Sequence, residues 1–429
     1  MQKTKFVKLM QQEMVVALGC TDPVSISYVS AIANKYAGGK ELKRITVSLS
    51  LAVLKNATSV IIPGTTKCGI AMAAALGVVC GDPEKQLQVL ENLESKDVDN
   101  AEKIINAGMI NVKQTDNNAI LYVEVEVETD SGTAKAIVKD DYNNLVYVEK
   151  NGEIIIDKMK SVEQDNEEHI ENKYDLNDIW EFIKTADVET DLVHVKKTIE
   201  LNSEIARVGL ENEVGLQVGK TLMENMEKGI KEKNMANMAI CYASAGADAR
   251  MSGSPTSVMS NSGSGNQGIT ATMSVVAAAK YLGVNKETQI RAVALSNLVS
   301  IYIKRYVGRV SVICGATTAA MGASAGMVYL LGGNKQQVEY TIKNMLGNIT
   351  GMLCDGAKTG CALKVATALQ AAEQSAYLAM KDIAIQPTDG VIGKSLEKSL
   401  ENLEKISKDI YMIVNQSITD IMFEKEMSI

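Results

Sequence analysis

The sequence predicts an α+β fold, a large all-helical domain joined to a smaller mixed α/β sheet subdomain. Three observations predict it. Residues 43–158 carry short alternating apolar–polar runs interrupted by one helical stretch. From 179 to 429 the pattern is helical almost throughout and rich in Ala, Gly and Met. The segment 159–178 between them is acidic and polar. At 429 residues the chain also exceeds the usual size of a single hydrophobic core.

Residues 1–42 read as N-terminal helices joining the helical domain. MQKTKFVKLMQQEMVVALGC has basic residues but no apolar core ending in a cleavage site, so it predicts an amphipathic helix rather than a signal peptide. The helix breaks at Gly19-Cys20-Thr21-Asp22-Pro23, where Thr21 or Asp22 can cap a second helix with Pro23 in its first turn. In the sheet subdomain, Arg44–Leu51 alternates, and Ile120–Glu128 puts Glu124, Glu126 and Glu128 on one face. Ser131-Gly132 makes a turn, and Ala134–Val138, Asn144–Val148 and Ile154–Ile156 supply further strands. A helical stretch over 66–108 interrupts them. Over 159–178 seven acidic residues outnumber Lys160 and Lys173, which predicts a solvated linker. Beyond it, abundant small side chains predict closely packed helices, with 21 methionines filling gaps.

Net charge of −8 argues against nucleic acid or an anionic membrane as partner. Aromatic residues at 4% leave little for base stacking. The apolar stretches near 69–80, 269–284 and 312–331 are interrupted by small or polar residues and read as buried helices, not membrane spans. The expected setting is the cytoplasm, and the expected partner is a small molecule. A homo-oligomer is left open.

The glycine loop Ser260–Gly268 contains G-x-G-x-x-G from Gly263 to Gly268. A dinucleotide site needs a strand before it and an acidic residue some twenty positions on; here a loop precedes it, and Asn285 and Lys286 lie at that offset. What remains is a donor-rich entry to a helix. Unpaired N–H groups at a helix start hold anions, and Ser262, Gly263, Ser264, Gly265, Asn266 and Gln267 together suit the carboxylate of an amino acid. A tight structural turn explains the spacing equally well.

Seven cysteines, an odd number, make a disulfide framework improbable. Cys354 and Cys361 frame a loop with two glycines, and Cys314 precedes Gly315. With only His169 and His194 in the chain, a zinc site would be mostly thiolate. Three thiolates on a four-iron cluster would leave one iron open. The spacing matches no strong metal signature, so packed thiols stay open as well. Cys20 sits at a helix start, where a thiol ionises more readily. It suits a base, a fourth ligand or a buried thiol. Cys68, Cys80 and Cys241 lie among apolar neighbours and read as packing; Lys304, Arg305 and Arg309 read as a helix face. Lys55 and Lys67 are Schiff-base candidates that no neighbouring feature selects.

Gly19-Cys20-Thr21-Asp22-Pro23, the run Ser260–Thr272, Cys314–Gly322 and Gly351–Gly356 resemble the L-cysteine desulfidase family, a relative of the oxygen-sensitive L-serine dehydratases. The likeness runs nearly end to end. It implies a lyase that converts L-cysteine to pyruvate, ammonia and sulfide in cysteine catabolism, without pyridoxal phosphate. It also implies a [4Fe–4S] cluster with one open iron, held by Cys314, Cys354 and Cys361 of a catalytic domain at 179–429, with Cys20 as the catalytic thiol. Where the family's first motif has Glu before proline, this chain has Asp22. An L-serine dehydratase and a non-catalytic iron–sulfur sensor are the competing expectations.

Overall fold

A computed structural model describes residues 2–117, 119–159 and 174–426. The expected acidic linker lies mostly outside the described residues. Of its C-terminal end, Asp175 accepts from the Asp178 amide and starts a helix.

The chain opens with α1 (Gln2–Glu13), the short β1 (Val16–Leu18) and α2 (Thr21–Ala37). The sheet region follows: β2 (Leu42–Leu49), α3 (Leu51–Ala57), α4 (Ile70–Cys80), α5 (Ser95–Asn106), β3 (Ile110–Gln114), β4 (Tyr122–Thr129), β5 (Gly132–Lys139), β6 (Leu145–Lys150) and β7 (Glu153–Asp157). Six strands pair in the order β3-β2-β4-β5-β6-β7, parallel between β2 and β3 and antiparallel elsewhere. The alternation in β4 works as its period requires. Val123, Val125 and Val127 are fully buried, while Glu124, Glu126 and Glu128 look outward. Helix α2 packs on β4 and β5 and shares their core.

The helical region comprises α6 (Leu176–Thr185), α7 (Val193–Glu211), α8 (Val218–Glu227), α9 (Met235–Met251), the short β8 (Ser257–Met259), α10 (Gly265–Leu282), α11 (Lys286–Val307), α12 (Gly315–Leu330), α13 (Lys335–Asn348), α14 (Cys361–Ala379), α15 (Leu396–Asp409) and α16 (Tyr411–Glu426). The expected close packing is present. A Cβ on Gly209 of α7 would lie 1.9 Å from the Ala245 carbonyl of α9, and one on Gly322 of α12 would lie 2.2 Å from the Ser296 carbonyl of α11. Phe6 and Met10 of α1, with Met14 just after it, join this helical core, so α1 and α2 serve different cores.

The two cores are tied together at three places. Strand β1 pairs antiparallel with β8, Val16 opposite Met259. Ser260 and Ser262 then donate their amides to the carbonyls of Val15 and Glu13. At the far end of the chain, α16 packs on α3, where Asn415 accepts from buried Lys55. Among the described residues no helix is long and apolar enough to cross a membrane.

Candidate functional site

The β1–β8 pairing sets the Gly19–Asp22 turn against the glycine loop. Gly19 has φ +67°, and a Cβ there would lie 1.9 Å from Pro63 Cγ, so the turn requires glycine. Cys20 is the residue at the capping position of α2, with no side-chain capping bond. The expected cap, Thr21 or Asp22, instead lies inside the first turn and faces across the site. Thr21 Oγ1 donates to the Gly263 carbonyl at 2.8 Å. Ser264 caps α10, its Oγ accepting from the Gln267 amide at 3.3 Å. Cys314 occupies the capping position of α12, fixed by an antiparallel bridge between Ile313 and Leu353. Cys361 is the first residue of α14.

Among the described residues, four helices (α2, α10, α12 and α14) thus begin at one small pocket of about 100 Å³ between the two cores. Each start presents unpaired N–H groups and about half a positive charge. Cys20, Asp22, Asn56 and Tyr142 line it from the sheet side. Arg250, Ser264, Lys304, Cys314, Cys354 and Cys361 are among its lining from the helical side. The pocket is therefore electropositive and sized for a few-atom anion rather than a nucleotide.

Its one buried acid is Asp22. The carboxyl accepts at Oδ1 from Asn56 Nδ2 at 3.2 Å and from Tyr142 Oη at 3.1 Å, and at Oδ2 from the Cys20 thiol at 3.9 Å. Burial raises its pKa from 3.8 to about 6, against the opposing pull of those hydrogen bonds and of Lys55 and Arg250. For Cys20, burial and then the Asp22 charge push the pKa to about 12. The helix start was expected to favour a thiolate; desolvation wins, and the resting group is the thiol. Lys304 is held down to about 8 by burial, with Cys354 and Cys314 opposing.

Of the six loop residues expected to bind a ligand, Gly263, Ser264 and Asn266 line the pocket. Ser262 and Gln267 instead brace the loop: Ser262 Oγ and Gln267 Nε2 both donate to Asn261 Oδ1, at 3.1 and 2.8 Å. Gly265 supports Arg250, whose guanidinium lies where its Cβ would be. Lys304 and Arg309, expected as a plain helix face, both line the pocket; Arg309 Nη2 is paired with Glu13 at 2.9 Å. Cys68, expected to pack, is exposed. Lys55 is buried and donates to the Cys354 carbonyl at 2.9 Å.

Cys314, Cys354 and Cys361 line the pocket together with Cys20, yet the expected cluster is overturned. Among the described residues no group of three or more His, Cys, Asp or Glu side chains is placed to hold a metal ion. The thiols are spread over separate elements. Cys314 lies in the helical core with Cys354 against it, whereas Cys361 packs with Cys20, Val60, Met251 and Ala357. Burial also keeps Cys314 protonated, its pKa pushed up to about 12. The iron–sulfur, [4Fe–4S] and metal-binding assignments are withdrawn on this donor arrangement.

Comparison with known proteins fixes the family. The family model described as serine dehydratase alpha chain matches residues 84–420. The chain belongs to that family. A UPF0597 protein of Clostridium perfringens (strain SM101) is 38% identical, over 98% of this chain and 98% of its own. Those of Oleidesulfovibrio alaskensis and Porphyromonas gingivalis are 39% and 36% identical, each over at least 98% of both chains. In this member of the serine dehydratase alpha chain family, the matched span contains Arg250, the glycine loop and Cys314, Cys354 and Cys361. Cys20 and Asp22 precede it.

Sequence reasoning missed Arg250, Asn56, Tyr142 and the buried carboxyl of Asp22 as parts of the pocket. Tyr142 carries no motif. Asp22 was visible as part of a helix start, which concealed its contacts across the site.

Proposed function

We propose that the chain is a carbon–sulfur lyase that eliminates hydrosulfide from L-cysteine, with loss of water from L-serine as the alternative by the same route. One observation carries this: four helix starts enclose an electropositive pocket in which a thiol donates to a buried carboxyl. The membership in the serine dehydratase alpha chain family supports the reaction class.

The substrate carboxylate rests at the start of α10, against Gly263, Ser264 and Asn266. The surrounding positive field stabilises the charge that spreads into that carboxylate when the α-hydrogen is removed. Cys20 takes up the α-proton while its own proton passes to Asp22, which is ionised above about pH 6. The electron pair of the Cα–H bond forms the Cα=Cβ bond, and the Cβ–S pair leaves with the sulfur. Lys304, with a pKa of about 8, supplies a proton to the departing hydrosulfide. The aminoacrylate product tautomerises to an imine, and water converts this to pyruvate and ammonia.

Incubating the purified chain with L-cysteine and measuring sulfide and pyruvate tests the proposal; equal yields are expected. Product from serine alone selects the alternative. No product from either amino acid sinks the lyase. A Cys20→Ser variant with full turnover removes Cys20 from the proton path.

A further inference from the structure

Arg250 is a buried cation with no carboxylate in contact among the described residues. It lies in the last turn of α9 at 4% exposure and forms no ion pair among the described residues. Its Nη2 donates to the Gly19 carbonyl at 2.7 Å and its Nη1 to Asn266 Oδ1 at 3.1 Å, both neutral partners. Nε is buried and has no hydrogen-bond partner. A buried guanidinium ordinarily has a carboxylate or phosphate against its fork.

Its position makes the missing charge more conspicuous. The guanidinium lies across Gly265, the first residue of α10; a Cβ there would sit 2.2 Å from Nε and 2.6 Å from Cζ. A cation at a helix start is opposed by the helix dipole, and three further helices begin at the same pocket. Asp22 is the one acid lining that pocket, and its carboxyl is already engaged by Asn56, Tyr142 and Cys20. An anion in the pocket, beside Arg250 and the start of α10, answers the helix dipole and the guanidinium charge at once.

We infer that Arg250 is the residue that holds the substrate carboxylate, reading the α-carboxylate of a small amino acid against the start of α10. This rests on the proposed amino-acid site. Arg250 selects for the carboxylate, and the Gly19 and Asn266 bonds orient the guanidinium toward it. A side chain at Gly265 would displace the guanidinium.

The test uses L-alanine, which has the carboxylate and amine but no leaving group, and L-alaninamide, which lacks the charge. L-Alanine is expected to raise the melting temperature of the wild-type chain and L-alaninamide is not. Arg250→Gln and Gly265→Ala should both abolish the L-alanine shift; the second displaces the guanidinium without removing it, so it serves if Arg250→Gln fails to fold. In turnover, Arg250→Gln is expected to raise the KM for L-cysteine by about 10- to 100-fold, more than it lowers kcat. A folded variant of either kind that binds L-alanine as the wild type does overturns the assignment while leaving the lyase standing. Wild-type binding of L-alanine with no elimination from cysteine or serine does the reverse. Equal shifts by L-alanine and L-alaninamide also overturn it.

Discussion

Replacing Asp22 by Asn should make the protein more stable at neutral pH while removing its activity. The acid is fully enclosed, and burial lifts its pKa from 3.8 to about 6. That difference corresponds to roughly 3 kcal/mol. The folded pKa is the higher one, so the native state holds the proton more tightly than the unfolded chain does. The contribution of this group is therefore greatest below about pH 4. It is lost as the pH rises from the unfolded value of 3.8 through the folded value of about 6. An amide cannot ionise and escapes that loss. It also keeps the local structure, because both Asn56 Nδ2 and Tyr142 Oη donate to Oδ1, which the amide retains. Urea denaturation at pH 4 and pH 7.5 should thus show Asp22→Asn near the wild type at the lower pH. At the higher pH it should be more stable by about 3 kcal/mol. A difference independent of pH, or a less stable variant at pH 7.5, would refute the reasoning.

Three further outcomes follow from the same geometry. The pH profile of kcat/KM for L-cysteine should be a bell, rising through about 6 as Asp22 loses its proton and falling through about 8 as Lys304 loses its own; a rising limb that persists in Asp22→Asn, at whatever residual rate, removes Asp22 from it. Gly209→Ala should lower stability by roughly 1–3 kcal/mol in urea denaturation, because its Cβ would meet the Ala245 carbonyl at 1.9 Å; an unchanged midpoint would mean that α7 and α9 are not so closely packed. Alkylation of the native protein followed by peptide mass mapping should modify exposed Cys68 before buried Cys20, Cys241 and Cys314, whereas equal labelling of Cys241 would contradict its burial.

Much of the sheet was legible because period-two alternation survives in sequence when one face is buried. The run 120–128 announced β4, and its valines and glutamates sort to the two faces as read. Strand β3 was missed: Ile110–Gln114 is a half-exposed parallel edge strand, and its alternation runs only from Ile110 to Lys113. The small-residue composition of the C-terminal half announced close helix packing, which Gly209 and Gly322 then realise. In the site, the local signals were readable and the distant ones were not. Glycines and a serine before an apolar run marked the start of α10, and proline marked the start of α2. The pairing of β1 with β8, which brings those starts together, involves three-residue strands with no pattern of their own. Arg250 sits in an Ala-rich helix, and only that pairing gives it Gly19 as a partner. The cysteines could be read as converging, but whether thiols at separate helix starts come within reach of one ion is set by how the helices cross, which spacing does not encode.

The same convergence explains why the pocket is held between two cores instead of within one. Placing four helix starts, Arg250 and Lys304 together concentrates positive charge, which destabilises the resting protein. A single core could lower that charge by shifting one helix. Here each core fixes its own part of the ring. Helix α2 is held by the sheet, whereas α10, α12 and α14 are held by the helical core. The links across the boundary, β1–β8 and Thr21 to Gly263, then prevent the rings from separating. Breaking the Thr21 link should loosen the pocket without unfolding either core, since Thr21 Oγ1 contributes one hydrogen bond of about 1 kcal/mol. The electropositive pocket is therefore a consequence of the two-core architecture, and an anionic ligand is the component that relieves it.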